Sequence, residues 1–355
     1  MKEKETLRHQ IDEIDREMLK LLNKRLTLAR AVGEVKIREG APKYDFKREE
    51  NLLASLEHLN HGPLENSEVR SIYKEIISAS RRIQGPPLVS YLGPAATFSH
   101  LAALKMFGHS AKFEPEMTIH DCFIDVEKGN CNFGVVPVEN STAGAVNETL
   151  DHLVTTPVKI CGEVFLKISH DLASVSGKIA EIEVIYTHPQ TRGQCRRWLS
   201  ENLPEVPIVE MASNAQAAQK AAKNPNSAAI VSSSAAEYYE LKIAVPRIED
   251  TIENTTRFFV IGNEEAGPTG SDCTSFLFTV DDVSGALHRA LNPLHSAGIN
   301  MTKIASHPAR TGPWKYLFFV DVDGHKDEPK IKAAIDEMER LTSWFKILGS
   351  FPRSS

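Results

Sequence analysis

The sequence predicts a multidomain chain with an all-α segment first, an α/β segment next and an α+β segment of order βαββαβ at the end. Three observations carry this. Apolar residues near the start recur at alternating steps of four and three. After Gly85-Pro86-Pro87 the texture changes to short apolar strands alternating with helical stretches. Beyond a second stretch rich in Gly, Pro and Ser, Ala266 to Asp272, strands and helices take the ferredoxin-like order. The expected domains are residues 1–86, 87–266 and 272–355, in keeping with a 355-residue length that exceeds what one hydrophobic core supports.

In the first segment, Leu7, Ile11, Ile14, Met18, Leu21, Arg25, Leu28, Val32 and Val35 form the seam of one long helix that Gly40 and Pro42 end. At ~1.5 Å per residue, Leu7 to Glu39 spans roughly 50 Å, more than so small a domain covers alone, so two such helices side by side in a dimer are expected. A second helix is expected from Asp45 towards Leu59, where Gly62-Pro63 breaks the pattern, and a third from Ser67 to Gln84. In the second segment, 88–93, 133–139, 183–188, 207–211, 228–233 and 257–262 read as buried strands, with helices near 98–107, 118–128, 189–202 and 213–223. In the third, strands at 274–280, 299–306, 315–322 and 344–349 enclose helices at 284–298 and 328–341.

Composition narrows the function classes. With 41% apolar and 25% charged residues the chain reads as globular, and a net charge of −6 without a basic block argues against nucleic-acid partners. No apolar run approaches a membrane span and the start lacks a signal-peptide core, so a cytoplasmic protein is expected. The five cysteines form no CxxC pair, so neither a metal centre nor a disulfide framework is expected. No GxGxxG, GxxxxGK[ST], GxSxG or HExxH motif is present, and no cofactor is expected.

The misplaced charges of the first segment point to chemistry. Arg25 sits at a seam position, where a cation is costly unless an anion or water meets it. Lys36, three helical turns on, points nearly the same way, whereas Arg8 lies roughly 100° around the axis and would serve a partner's pocket. Asp45, Arg48 and Glu49 share a face, as do Ser80 and Gln84. Together they describe a polar cavity suited to a small dianion with a hydroxyl. Residues 5–84 resemble the all-helical chorismate mutases at Arg8, Arg25, Lys36, Asp45, Arg48, Glu49, Ser80 and Gln84. The resemblance implies rearrangement of chorismate to prephenate. Arg8 of the neighbouring chain and Arg25 would hold the carboxylates, supported by Arg48, with Ser80 on a carboxylate. Lys36 and Gln84 would donate to the ether oxygen, and Glu49 and Asp45 would meet the ring hydroxyl side.

In the second segment, polar residues gather at strand ends in Gly93–Ser99, Val136–Ser141 and Asn254–Phe258, where ligands of open α/β sheets bind. Residues 88–265 resemble the prephenate dehydratases, with Thr256-Arg257-Phe258 the most telling signature and Glu139-Asn140-Ser141, His188-Pro189-Gln190 and Ser213 in order. The resemblance implies two α/β lobes like a periplasmic binding protein, one from 88 to 165 plus the strand near 257, the other from 166 to 247. Thr97, Ser99, Asn140, Ser141, Ser213, Thr256, Arg257 and Phe258 would line the prephenate site. Thr256 would be the key residue and Arg257 a carboxylate anchor, with Glu139 or a bound water open as a partner in the proton transfer.

The βαββαβ segment resembles an ACT domain, a small-molecule sensor that pairs between chains. The resemblance implies phenylalanine binding at Gly285-Ala286-Leu287 and at a second motif. That motif usually reads Glu-Ser-Arg-Pro and here reads Ala305-Ser306-His307-Pro308, keeping Ser306 and Pro308. The whole resembles the bifunctional chorismate mutase/prephenate dehydratase family of phenylalanine biosynthesis, a homodimer or higher oligomer acting on chorismate, prephenate and phenylalanine. Two other readings are an arogenate-using dehydratase and a non-catalytic amino-acid sensor, and the helical pocket speaks against the sensor.

Overall fold

The computed structural model describes residues 2–251, 253–308 and 316–354. The chain divides into two compact units: residues 1–87 with 107–112, and residues 88–106 with 113–355.

The first unit is built on three helices, α1 (Lys2–Glu39), α2 (Phe46–Leu59) and α3 (Asn66–Ile83). Gly40, in the left-handed region at φ +63°, ends α1. Asp45 starts α2, its carboxylate accepting the Arg48 N–H at 2.9 Å, and Glu65 and Glu68 close a capping box on α3. Leu53, Val69 and Ile77 are buried where α2 and α3 pack. Arg70 on α3 joins Glu50 and Glu57 on α2, and these bonds, Glu50 foremost, hold its cation above the ordinary range against the cost of burial. The long helix is different. Its seam residues Leu7, Ile11, Ile14, Met18, Leu21 and Leu28 are each 51–60% exposed, so α1 leaves its own apolar stripe uncovered.

The second unit holds three sheets. Its chain runs β1 (Leu88–Leu92), α4 (Phe98–Phe107), β2 (Lys112–Glu116), α5 (Ile119–Glu127), β3 (Phe133–Asn140), β4 (Gly144–Ala145), α6 (Asn147–Thr155), β5 (Lys159–Lys167) and β6 (Asp171–Ser174). It continues through β7 (Val184–Thr187), α7 (Pro189–Gln194), α8 (Arg196–Asn202), β8 (Ile208–Glu210), α9 (Asn214–Ala221), β9 (Ser227–Val231), α10 (Ser233–Tyr238), β10 (Lys242–Val245) and β11 (Thr255–Gly262). The last part is β12 (Asp272–Thr279), α11 (Ala286–Ser296), β13 (Met301–Pro308), β14 (Tyr316–Asp323), α12 (Pro329–Leu341) and β15 (Trp344–Pro352). Lys315, the expected first residue of the third C-terminal strand, lies outside the described residues.

The first sheet has the order β2-β1-β3-β11-β5, with β4 on β3, and the second β10-β6-β9-β7-β8. These are two α/β lobes, as expected, but the pattern of short apolar runs did not single out β2, β4, β5, β6 or β10. Strand β5 carries Gly162 and Glu163 at its centre, which breaks an apolar run, and β2 is a charged edge. The expected helix 189–202 is two helices meeting at Cys195.

The third sheet, β13-β14-β12-β15, is ferredoxin-like, with α11 and α12 on one face. Its other face lies on the first lobe. Cys273, Leu277, Leu317, Phe319, Leu348 and Phe351 share one core with Phe259, Ile261 and residues of α5 and α6. Close approach requires Gly349 on β15, because a Cβ there would sit 2.2 Å from the backbone oxygen of Ile160. Ala266–Asp272, expected as a linker, is an ordered turn: the buried Asp272 carboxylate accepts from the Thr269 and Gly270 backbone N–H groups. No described helix is long and apolar enough to cross a membrane.

Candidate active sites

In the helical unit, α1 and α3 bring three of the expected residues together. Arg25 Nη1 donates to the buried Ser80 Oγ at 2.6 Å, and Gln84 Nε2 donates to the Ala29 carbonyl at 2.9 Å. Gly33, one turn beyond Ala29, makes room for this, since a Cβ at Gly33 would lie 2.7 Å from Gln84 Cγ. Lys36 Nζ donates to the Lys43 carbonyl at 3.2 Å, placing it at the start of the loop into α2. Arg8 stays apart: seventeen residues of continuous helix put it roughly 25 Å along α1 from Arg25.

Two expected ligands have partners that the sequence did not suggest. Asp45 is the N-cap of α2, and the Glu49 carboxylate is held by the buried Arg81 in a two-pronged ion pair. Arg81 was the missed residue, and its place beside Ser80 on α3 was the available signal. Arg48 is exposed and lends its backbone N–H to Asp45.

In the first lobe, strand directions assemble the second site. Strands β1 and β3 run parallel, so the Thr97–Ser99 turn after β1 and Asn140-Ser141 at the end of β3 share one sheet edge. Strand β11 runs antiparallel to β3, bringing Thr255 and Thr256 to that edge, and Lys167 at the end of β5 pairs with Thr255. Both connections to the second lobe leave here, through Ile168–His170 and out of β10. Phe98 meets the buried His170 ring edge-on at 5.8 Å. In the second lobe β7, β8 and β9 are parallel, and Asp171 at the start of β6 pairs with Val231 at the end of β9, so His188 and Ser213 occupy the edge nearest the same connections. Both cap helices: His188 Nδ1 accepts from Gln190 N–H and Ser213 Oγ from Gln216 N–H. Thr97 Oγ1 also caps, accepting the His100 N–H, while donating to the Leu92 carbonyl. Ser99 is buried in the first turn of α4.

At the centre of the first-lobe edge, Asn140 Nδ2 donates to Thr256 Oγ1 at 2.8 Å and to Asn254 Oδ1 at 2.6 Å. The Asn140 amide is oriented by its own oxygen, which accepts the backbone N–H groups of Thr142 and Ala143 at 3.1 and 2.9 Å. Thr256 Oγ1 therefore accepts, and its hydroxyl proton remains available to donate. Ser141 Oγ accepts the Thr255 N–H at 3.0 Å and donates to the Glu253 carbonyl, locking the strand end.

Arg257 and Glu139 are not brought to the Thr256 face. Successive strand side chains point to opposite faces, and cross-strand partners share a face. Arg257, paired in register with Glu139, leaves the Thr256 face and is buried between Glu163, at 2.7 Å, and Asp321 of the third sheet. Burial works against its charge, yet these carboxylates outweigh it and hold the guanidinium above its ordinary range. Glu139 makes an ion pair with Lys303 on β13. Both side chains thus leave the face that carries Thr256, whereas the resemblance implied a carboxylate anchor at Arg257 and a share in proton transfer at Glu139. Phe258, back on the Thr256 face, is fully buried as core.

In the third sheet, Gly285, Ala286 and Leu287 line a groove of about 690 Å³ with Asp281, Tyr316 and Phe318. Gly285 adopts φ +76° as the N-cap of α11, a conformation that favours glycine. Within one chain the second motif does not join this groove. Ser306 is exposed on the edge strand β13, while His307 turns inward to Asp151 on α6, at 2.8 Å, and lines a separate cavity with Pro308.

Comparisons with known proteins match the chain part by part. The family model for chorismate mutase type II matches residues 7–85, that for prephenate dehydratase residues 89–266, and that for the ACT domain residues 274–340. A bifunctional chorismate mutase/prephenate dehydratase of Aquifex aeolicus is 42% identical over 358 residues, spanning 100% of this chain and 99% of that protein. A crystal structure of prephenate dehydratase from Arthrobacter aurescens in complex with L-Phe superposes with a TM-score of 0.69 at 29% identity, covering 75% of this chain and 90% of that one. A structure described as a quorum-quenching acylase, GqqA, superposes with a TM-score of 0.68 at 29% identity over 75% of this chain and 98% of that one. On the three matching family models and on full-length identity to such a relative, the chain belongs to the bifunctional chorismate mutase/prephenate dehydratase family.

Proposed function

We propose that the helical unit converts chorismate to prephenate at Arg25, Lys36, Ser80 and Gln84, completed by Arg8 of a second copy. This reading is supported by Arg25 meeting Ser80 and Gln84 meeting Ala29 between α1 and α3, with Lys36 further along α1, which suits a pericyclic reaction that needs only a compact substrate and charge complementarity. Gln84 and Lys36 donate where negative charge develops on the ether oxygen. The dimer is supported by the uncovered stripe of α1, whose repeat fits a second α1 alongside. Glu49, held by Arg81, and Asp45, engaged as a cap, shape the hydroxyl side, and Arg48 strengthens the cationic wall.

The two α/β lobes remove water and carbon dioxide from prephenate to give phenylpyruvate. Its proton reaches the leaving ring hydroxyl from Thr256, and the single observation that carries this reading is the Asn140 donation to Thr256 Oγ1. That bond turns the hydroxyl proton outward and stabilises negative charge on Oγ1 as the proton moves, making threonine a better donor than it is alone. Thr97, Ser99, Ser141 and Ser213 supply hydroxyls around the substrate. Phenylalanine, bound in the Gly285–Leu287 groove and completed by Ser306 and Pro308 of a second copy, regulates this step. The five free, buried cysteines suit a cytoplasmic enzyme.

One assay tests both halves: purified protein is given chorismate, and its loss is followed together with the appearance of phenylpyruvate. The expected outcome is that phenylpyruvate accounts for the chorismate consumed. Persistence of chorismate would sink the first reading, and prephenate accumulating without phenylpyruvate the second.

A further inference from the structure

We propose that Arg257 is a positioning residue, through which Asp321 of the regulatory sheet holds the Thr256 hydroxyl in its working place. This deepens the reading of the dehydratase site and rests on Thr256 delivering the proton. Thr256 and Arg257 are neighbours on β11 whose side chains leave opposite faces of the strand. One meets Asn140 at the ligand edge. The other, only 7% exposed, reaches Glu163 at 2.7 Å and Asp321, with its guanidinium carbon 4.7 Å from the Phe259 ring centroid.

Three features make this more than a buried ion pair that happens to be nearby. First, β11 pairs continuously with β5 here, but its register with β3, the strand that carries Asn140, breaks between Arg257 and Phe258, where Val138 is the extra residue, so the ladder is interrupted on the side that sets Thr256 against Asn140. Second, the cross-strand partner of Arg257 is Glu139, which is itself tied to the regulatory sheet by Lys303. The two strands carrying Thr256 and Asn140 are thus each held by a charged link one residue from the active group. Third, Asp321 lies on β14, the strand whose Tyr316 and Phe318 line the Gly285 groove. It also accepts from Ser275 at 2.5 Å on β12, whose Thr279 lines the same groove. Five residues of strand, roughly 17 Å, separate Tyr316 from Asp321. A ligand that shifts these strands in the groove has a stiff route to Arg257, and from there to Thr256 on the next residue.

The test is a double-mutant cycle in the full-length protein. Asp321→Asn keeps the shape and removes the charge. It is expected to lower the dehydratase kcat roughly 10- to 100-fold, to leave KM for prephenate within about threefold and to leave the mutase rate unchanged, with Asp321→Glu recovering most of the loss. In the background of Thr256→Ala, Asp321→Asn is expected to cost nothing further, because its effect passes through the hydroxyl already removed. Multiplying losses, or a fall in thermal midpoint with kcat intact, would reduce the pair to a structural tie and overturn the proposal. So would a rise in KM at constant kcat, which would mark a substrate contact. Thr256→Ala measured alone reports on the underlying reading: if it keeps full dehydratase activity, Thr256 is not the donor, whatever Asp321→Asn does. Should Asp321→Asn fail to fold, Ser275→Ala, which removes only a hydroxyl donor to Asp321, runs the same cycle at smaller amplitude.

Discussion

The two active sites of this chain are built in opposite ways. The mutase site as proposed is made of long side chains that donate to a hydroxyl or carbonyl of a neighbouring helix or of the loop into α2, and it takes Arg8 from a second copy. The dehydratase site is made of short hydroxyl and amide side chains at strand ends, locked by bonds between residues more than a hundred positions apart in the chain, as in Asn140 to Thr256. On that proposal the first spends its design on charge and takes one cation from a second copy. The second spends it on orientation and relies on its own sheet, which a third sheet braces from behind. What the contrast teaches is where each site is vulnerable: the mutase to loss of association or of a single donor, the dehydratase to anything that moves one strand.

The largest effect is expected at the dehydratase hydroxyl. Thr256→Ala removes the hydroxyl whose oxygen accepts from Asn140 and whose proton is turned outward, and a positioned proton donor contributes roughly 10²–10⁴ in rate. Phenylpyruvate formation should fall about a thousandfold while chorismate consumption continues and prephenate accumulates. Equal loss of both activities would mean that the contrast between the sites is false and that the substitution merely unfolds the protein.

The next effect separates a pocket shared between chains from one that is self-contained. Gln84→Ala should lower mutase activity roughly 10²- to 10³-fold, the usual cost of one donor to developing charge. Arg8→Ala should lower it comparably, although Arg8 is roughly 25 Å from Arg25 on the same helix. Mixing the two inactive variants lets mixed dimers form in which one pocket carries neither lesion. Mutase activity should return to a sizeable fraction of the wild-type rate, and dehydratase activity should not change throughout. No recovery on mixing would remove the second copy from the mutase site.

The same contrast explains what the sequence could and could not reveal. Helical spacing maps directly onto a face, so Ser80 and Gln84 on one face and the three helices were legible from position alone, while the meeting of Arg25 with Ser80 joins two helices. Strand-end chemistry is not legible in that way. That Thr256 and Asn140 meet depends on β11 lying antiparallel beside β3, a pairing no local pattern encodes. The opposite facing of Arg257 follows from period-two alternation, but only once it is known that both faces of β11 are covered, one by the third sheet. The family signature placed Arg257 beside Thr256 in sequence and so suggested a shared role. Burial against Asp321 and Glu163, the latter on a strand that went unread because Gly162 and Glu163 interrupt it, puts the two side chains on opposite faces, which adjacency in sequence does not reveal. Arg81 was overlooked for a similar reason, since its partner Glu49 is 32 residues away on another helix.

The smallest and sharpest prediction concerns Gly33. In an exposed helix interior, glycine to alanine stabilises by about 1 kcal/mol, because alanine has less backbone freedom to lose. At Gly33 the added Cβ would stand 2.7 Å from Gln84 Cγ, closer than carbon atoms pack, so the Gln84 side chain must swing away from α1 and give up its bond to Ala29. The two effects act on different observables. Gly33→Ala should lower the mutase rate about tenfold through the displaced amide, move the thermal midpoint of the protein by no more than a few degrees in either direction, and leave the dehydratase rate untouched. A full mutase rate in this variant would show that Gln84 works from another rotamer than the one packed on Gly33. A tenfold loss with intact stability would confirm that the mutase pocket, unlike the dehydratase site, depends on a single flexible side chain held by the close approach of two helices.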